Sequence, residues 1–152
     1  MKIRKLYLSK DHNYFGHHGM EPGAEPMVEV DEIECVAGNG IRGDRFFDFK
    51  PDYKGQITFF SQEIYEKLCE KFDVNDKGTE SFRRNVIVSD VNLNELIDET
   101  FEIQGVTFLG TQECAPCYWM EQAFHKGAEL ELKGNGGLRA KILSDGILKI
   151  DS

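Results

Sequence analysis

The sequence predicts a mainly β fold of α+β type, a small β-barrel with two or three peripheral helices. Three observations carry this. About seven short β-type runs punctuate the chain. Only one stretch, behind Ser61, has the apolar spacing of a helix several turns long. Strands do not alternate strictly with long helices, which removes a doubly wound parallel sheet. At 152 residues a single domain is expected. Roughly 68 to 70% of the unfolded surface is then buried on folding, so no disulfide or zinc staple is needed to hold the core.

Residues 2–10 place Ile3, Leu6, Tyr7 and Leu8 among lysines and read as a strand. Residues 11–26 hold glycines, prolines and His12, His17 and His18 without a period, and read as a long loop. From Met27 to Ala37 the apolar alternation slips phase once, which predicts two short strands or one with a bulge. A glycine-rich turn follows over 38–45. Gln56 to Phe60 is a strand, Ser61 a helix N-cap, and Ile64, Leu68 and Phe72 form one apolar stripe behind it. The polar, glycine-containing stretch 73–78 ends that helix. Asn85 to Val88 is a β-branched strand, and 92–97 a single helical turn. Gln104-Gly105 between two apolar runs marks a hairpin, and Asp145-Gly146, between the alternating 138–142 and the run 147–150, marks a second. No repeat, low-complexity tract or linker divides the chain.

Twenty-seven acidic against 18 basic residues give a net charge of −9. That balance argues against binding a nucleic-acid backbone. No apolar run reaches the length of a membrane span or a secretory signal, so a cytoplasmic protein without a membrane partner is expected. Four cysteines, at 35, 69, 114 and 117, are too few and too unevenly spaced for a secreted disulfide scaffold.

Gly38-Asn39-Gly40-Ile41-Arg42-Gly43 satisfies G-x-G-x-x-G, but residues 44–55 lack the helical spacing that a dinucleotide-binding turn requires. The arginines say more. Of six, five lie beside glycine-rich or turn segments: Arg42, Arg45, Arg83, Arg84 and Arg139. A guanidinium is a planar fork suited to oxyanions, and neighbouring glycines let backbone N–H groups approach an anion. Any one of them could instead pair with a surface carboxylate, but together they predict a local anion pocket in an acidic molecule. Cys114-Ala115-Pro116-Cys117 can form a redox disulfide, supply half a zinc site, present one thiolate, or simply pack at a strand end. Zinc lacks two further ligands at suitable spacing. The thioredoxin reading lacks the βαβ context and a later proline. Cys69 reads as packing, and His17, His18 and His125 as solvated or hydrogen-bonded side chains.

In order, Gly40-Ile41-Arg42-Gly43-Asp44-Arg45, Gln56-Ile57-Thr58, Arg83-Arg84-Asn85-Val86, Gly110-Thr111 with Cys114 to Cys117, and Gly136-Gly137-Leu138-Arg139-Ala140 resemble the MOSC domain, found at the C-terminus of molybdenum cofactor sulfurases and in small stand-alone bacterial proteins. The resemblance spans about residue 27 to 150. It implies a β-rich barrel and the handling of molybdenum cofactor, a pterin carrying a phosphate and a dithiolene that holds the metal. It further implies that Cys117 is the metal ligand, with Cys114 an accessory or second candidate. Gly43, Asp44, Arg45, Arg83, Arg84, Asn85, Gly137 and Arg139 would hold the pterin and its phosphate. A soft thiolate suits a molybdenum centre already bound by dithiolene sulfur. The expected activity is two-electron reduction of N-hydroxylated small molecules, with electrons or cofactor delivered by a separate protein. A carrier of persulfide sulfur or of cofactor, and a non-catalytic anion-binding module, are the alternatives. Pyridoxal phosphate is not expected in this chain.

Overall fold

The computed structural model describes residues 1–9, 27–116 and 119–151. Its larger sheet has seven strands in the order β2-β1-β6-β5-β9-β8-β7. These are β1 (Lys2–Leu8), β2 (Val28–Val30), β5 (Ile57–Ser61), β6 (Val86–Ser89), β7 (Thr100–Ile103), β8 (Val106–Glu113) and β9 (Leu138–Ile142). A second sheet, ordered β10-β3-β4, comprises β3 (Glu32–Val36), β4 (Gly40–Ile41) and β10 (Gly146–Lys149). The helices are α1 (Gln62–Phe72) and two short ones, α2 (Trp119–Ala123) and α3 (Ala128–Glu131).

Alternation along the central strands sends neighbours to opposite faces, and both faces are covered. Leu6, Phe59, Val86 and Val88 meet Ile33, Cys35, Ile41 and Leu148 of the small sheet in one core. Tyr7, Phe60 and Ile87 meet Leu68 of α1, Phe82, Met120, Phe124 and Leu132 in the other. The molecule is thus layered as small sheet, large sheet, helices. Strands β5 and β6 are buried along their whole length, as expected for a parallel pair. Such a pair needs a long crossover, and α1 lies within it.

The mainly β character with few helices holds, but the barrel does not. Among the described residues both sheets are open, with β2 and β7 at the edges of the larger one. Closure is unnecessary because the helices shield one face of the large sheet and the small sheet the other.

The expected hairpin at Asp145-Gly146 also fails. Strand β9 pairs with β5 and β8, whereas β10 pairs with β3. Between them the Leu143 N–H donates to the Thr107 carbonyl and the Thr107 N–H to Ser144 Oγ, which carries the chain off the edge of β8. Asp145 then accepts from the Ala37 N–H at 2.8 Å, fastening the crossing to the small sheet. The Gln104-Gly105 hairpin is present, with both residues at positive φ (52° and 85°) and Ile103 opposite Val106. The phase slip near residue 31 is the break between β2 and β3, and 93–96 is a single 3-10 turn. No helix follows the glycine-rich turn at 38–43. The loop 11–26 with its three histidines lies outside the described residues. Among the described residues no helix is long and apolar enough to cross a membrane.

Candidate functional site

Asn85 enters β6 wholly buried, and every polar group of it is used. Its Oδ1 accepts from the Thr58 N–H and hydroxyl, each at 3.1 Å, while its own N–H donates to Thr58 Oγ1 at 3.0 Å. Its Nδ2 donates to the Tyr7 carbonyl at 3.2 Å and to Asp44 Oδ1 at 3.3 Å. Asp44, equally hidden, accepts from the Ser9 N–H at 3.0 Å and from the Phe46 N–H at 3.3 Å. These two residues pin the loop after β4 against β1, β5 and β6. Neither offers its side chain to solvent.

A 3-10 turn, Thr79–Phe82, precedes β6 and is closed by Arg83 in the left-handed region, φ 56°. That reversal sends consecutive arginines to different places. Arg83 Nη2 reaches Ser9 Oγ at 3.2 Å. Arg84, only 8% exposed, donates from Nε to the Gly136 carbonyl (3.1 Å), from Nη1 to the Phe82 carbonyl (2.7 Å) and from Nη2 to the Cys114 carbonyl (3.4 Å). One guanidinium therefore joins three chain segments through their main-chain oxygens.

The same segments are pressed together by their glycines. The Cys114 N–H donates to the Gly137 carbonyl at 2.8 Å, and the Gly136 N–H to Glu113 Oε2 at 3.1 Å. A Cβ on Gly136 would lie against the Cys114 carbonyl and the Pro116 ring. Gly137 adopts φ 111°, and a Cβ on it would collide with the Phe59 carbonyl, a place only glycine fills.

Arg45 approaches from the loop after β4. Its Nη1 lies 3.5 Å from Asp44 Oδ1, with side chains 6% and 0% exposed. Nη2 donates to the Arg83 carbonyl at 3.1 Å, and the guanidinium sits 4.7 Å above the Phe46 ring centroid. Burial pushes its pKa down. Asp44 opposes that shift, Arg84 adds to it, and Cys114 and Tyr53 also act on the charge. Arg45, Arg84, Cys114 and Tyr53 are therefore electrostatic neighbours. Tyr53 in turn carries Arg139, whose guanidinium lies 5.2 Å from the ring centroid.

Of the predicted cofactor-binding residues, Arg45, Arg84, Arg139 and Gly137 lie around the accessory thiol Cys114 and Tyr53, and Asp44, Arg83 and Asn85 lie behind them. Gly43 forms the turn before Asp44 at φ 87°, with open space where a Cβ would be. Arg42 does not join them. It bonds Glu34 on the surface at 3.0 Å, 58% exposed. Cys117 lies outside the described residues, immediately after Pro116. Cys35 is buried, and burial pushes its thiol up to about 12. Cys69 is half-buried against the helical core, as a packing residue should be. His125 stacks on Phe72 at 4.7 Å. Among the described residues no group of three or more His, Cys, Asp or Glu could hold a metal ion. Sequence reasoning missed Tyr53, Gly55 and Glu113. Only the aromatic run 46–53 hinted at the first.

A family model described as the MOSC domain matches residues 17–148. Among solved structures, the YUAD protein from Bacillus subtilis is similar with a TM-score of 0.75 at 19% identity, over 98% of this chain and 91% of that one. YiiM from Escherichia coli gives 0.67 at 14% identity, over 99% of this chain and 67% of that one. YiiM from Geobacillus stearothermophilus gives 0.69 at 11% identity, over 97% and 70%. At these identities the likeness is one of fold. No curated protein matches the sequence.

Proposed function

The chain belongs to the MOSC domain family, and from that membership we propose that it binds molybdenum cofactor among Arg45, Arg84, Arg139 and the Cys114 segment, and reduces N-hydroxylated small molecules there. The observation that carries this is the placement of Arg84 on the Cys114 carbonyl and of Arg45 beside it, with Arg139 on the Tyr53 ring that also neighbours Arg45, in a chain of net charge −9. The donor set fits such a group: guanidiniums suit a phosphate, and a soft thiol suits the metal. When bound, the cofactor supplies a two-electron redox centre, and the protein supplies binding, orientation and electrostatics.

Each residue then has a task. Cys117 is the metal-ligating thiolate, and Cys114 the accessory thiol. Arg84 fixes the main chain at Cys114 and at Gly136, and so sets where the segment leading to Cys117 begins. Arg45 and Arg139 bring positive charge to the phosphate. Gly43 and Gly137 keep the backbone low around it. Asp44, Asn85 and Arg83 hold the arginine-bearing loops without touching the ligand. Electrons come from a separate protein, and a reducing compartment, the cytoplasm, keeps both thiols free.

The test is a metal analysis of protein purified from a strain competent in cofactor synthesis. Molybdenum near one atom per chain is expected, falling to background in Cys117→Ala. A hydroxylamine should be reduced with a chemically reduced dye as electron donor. Absence of molybdenum from the unaltered protein, or unchanged metal in Cys117→Ala, overturns the proposal. Transferable sulfane sulfur on Cys117 without hydroxylamine turnover would mark a carrier instead.

A further inference from the structure

Arg139 is seated unlike the other arginines. It projects from β9 on the face opposite Leu138 and Ala140, and its guanidinium lies over the Tyr53 ring and directly against Gly55. A Cβ on Gly55 would stand 2.7 Å from Arg139 Nε and 3.0 Å from Nη2, so a methyl group there would push the guanidinium aside. The Thr111 hydroxyl lies 2.7 Å from the Lys54 carbonyl and 2.9 Å from the Arg139 carbonyl, tying the Tyr53–Gly55 loop to β9. Lys50 Nζ lies 5.3 Å from the same Tyr53 centroid. Three cations nearby have carboxylate partners, Arg42 with Glu34, Arg45 with Asp44 and Lys141 with Asp52, and Arg84 is occupied by three main-chain carbonyls. Among the described residues no carboxylate pairs with Arg139.

A guanidinium held by its face keeps its N–H edge for in-plane bonds, and that edge matches two oxygens of a tetrahedral oxyanion. The aromatic face attracts the cation without neutralising it, as a carboxylate would. We propose that Tyr53 and Gly55 form a seat that presents Arg139 to a phosphate monoester dianion, with Lys50 adding a second positive charge. Tyr53 is a positioning residue and Arg139 the contacting one. The phosphate of the bound pterin is the ligand if the cofactor reading above holds. A free phosphate ester is the other source of the same chemistry.

The experiment is calorimetric titration of the full chain, purified from a strain unable to make cofactor, with inorganic phosphate. Arg139→Gln is expected to weaken binding about tenfold, the loss of one charge-assisted contact. Tyr53→Leu and Gly55→Ala should each weaken it several-fold, while Tyr53→Phe, which keeps the ring, and the surface variant Arg42→Gln stay at the unaltered value. Melting temperatures of all variants separate lost binding from lost folding, and Arg139→Lys, which leaves ring and glycine untouched, gives the same test if Tyr53→Leu does not fold.

Phosphate binding that survives Tyr53→Leu and Gly55→Ala overturns the seat. So does a loss that Tyr53→Phe shares, because the hydroxyl would then be responsible, and so does a full chain that binds no phosphate. The second arm measures pterin and molybdenum in protein from a cofactor-competent strain. Empty protein that still binds phosphate through Arg139 and Tyr53 overturns the cofactor reading and supports the seat with a free phosphate ester as ligand. Loaded protein whose cofactor content is unaltered in Tyr53→Leu overturns the seat and leaves the cofactor reading standing.

Discussion

Asp44 and Arg45 are adjacent in sequence and adjacent in the interior, and the carboxylate also receives three N–H donors. Removing one member of a buried pair leaves the other charge without compensation, at a cost of about 3 to 5 kcal/mol. Asp44→Ala is therefore expected to lower the stability of the whole chain by that order in urea unfolding. A loss under 1 kcal/mol would show that water reaches Arg45 and that the pair is not closed. The arginines were legible because glycines and turns flank them. Their separate fates were not, since Arg42 is diverted by Glu34 on the neighbouring strand and Arg139 is received by a ring 86 positions earlier in the chain. The seat at Tyr53 escaped notice because a ring at the end of an aromatic run carries no local sign that a distant guanidinium will lie on it.

At the scale of elements, the start of α1 was readable to the residue. Ser61 Oγ accepts from the Ile64 N–H at 3.2 Å, as an N-cap does, and Ser61→Ala is expected to cost about 1 kcal/mol. Glu63 adds a link that the sequence did not show. Its Oε2 accepts from the Asp90 N–H at 2.8 Å, joining the helix start to the end of β6. That backbone bond is the main reason its pKa falls below the ordinary 4.5. A carboxylate with a lowered folded-state pKa contributes stability above its unfolded value, and the contribution is lost as the pH falls through the folded one. Glu63→Gln should therefore flatten the fall in urea midpoint as the pH drops below the ordinary carboxylate value of 4.5, while leaving the profile above pH 6 parallel to that of the unaltered protein. The hairpin expected at Asp145-Gly146 has the right turn residues and the wrong partner. Local composition encodes where a chain turns, whereas the strand it then meets depends on the exposed edge of β3.

For the molecule as a whole, strand-rich composition and the scarcity of long helices were enough to give the class. Closure into a barrel was not decidable, because a strand buried on both faces reads the same whether sheets or helices cover it. The small sheet reaches the common core through few side chains, of which Leu148 is fully enclosed. Leu148→Ala is expected to cost about 2 to 5 kcal/mol and to leave a single unfolding transition in circular dichroism. A separate early transition would mean that the two sheets melt independently.

The clamp made by Arg84 has a further consequence for tolerance to substitution. It grips peptide oxygens, which every amino acid carries, so the side chains of the gripped residues can be exchanged while the loops keep their places. Side-chain identity matters instead where an added methyl group would collide, as at Gly136, whose Cβ would meet the Cys114 carbonyl and the Pro116 ring.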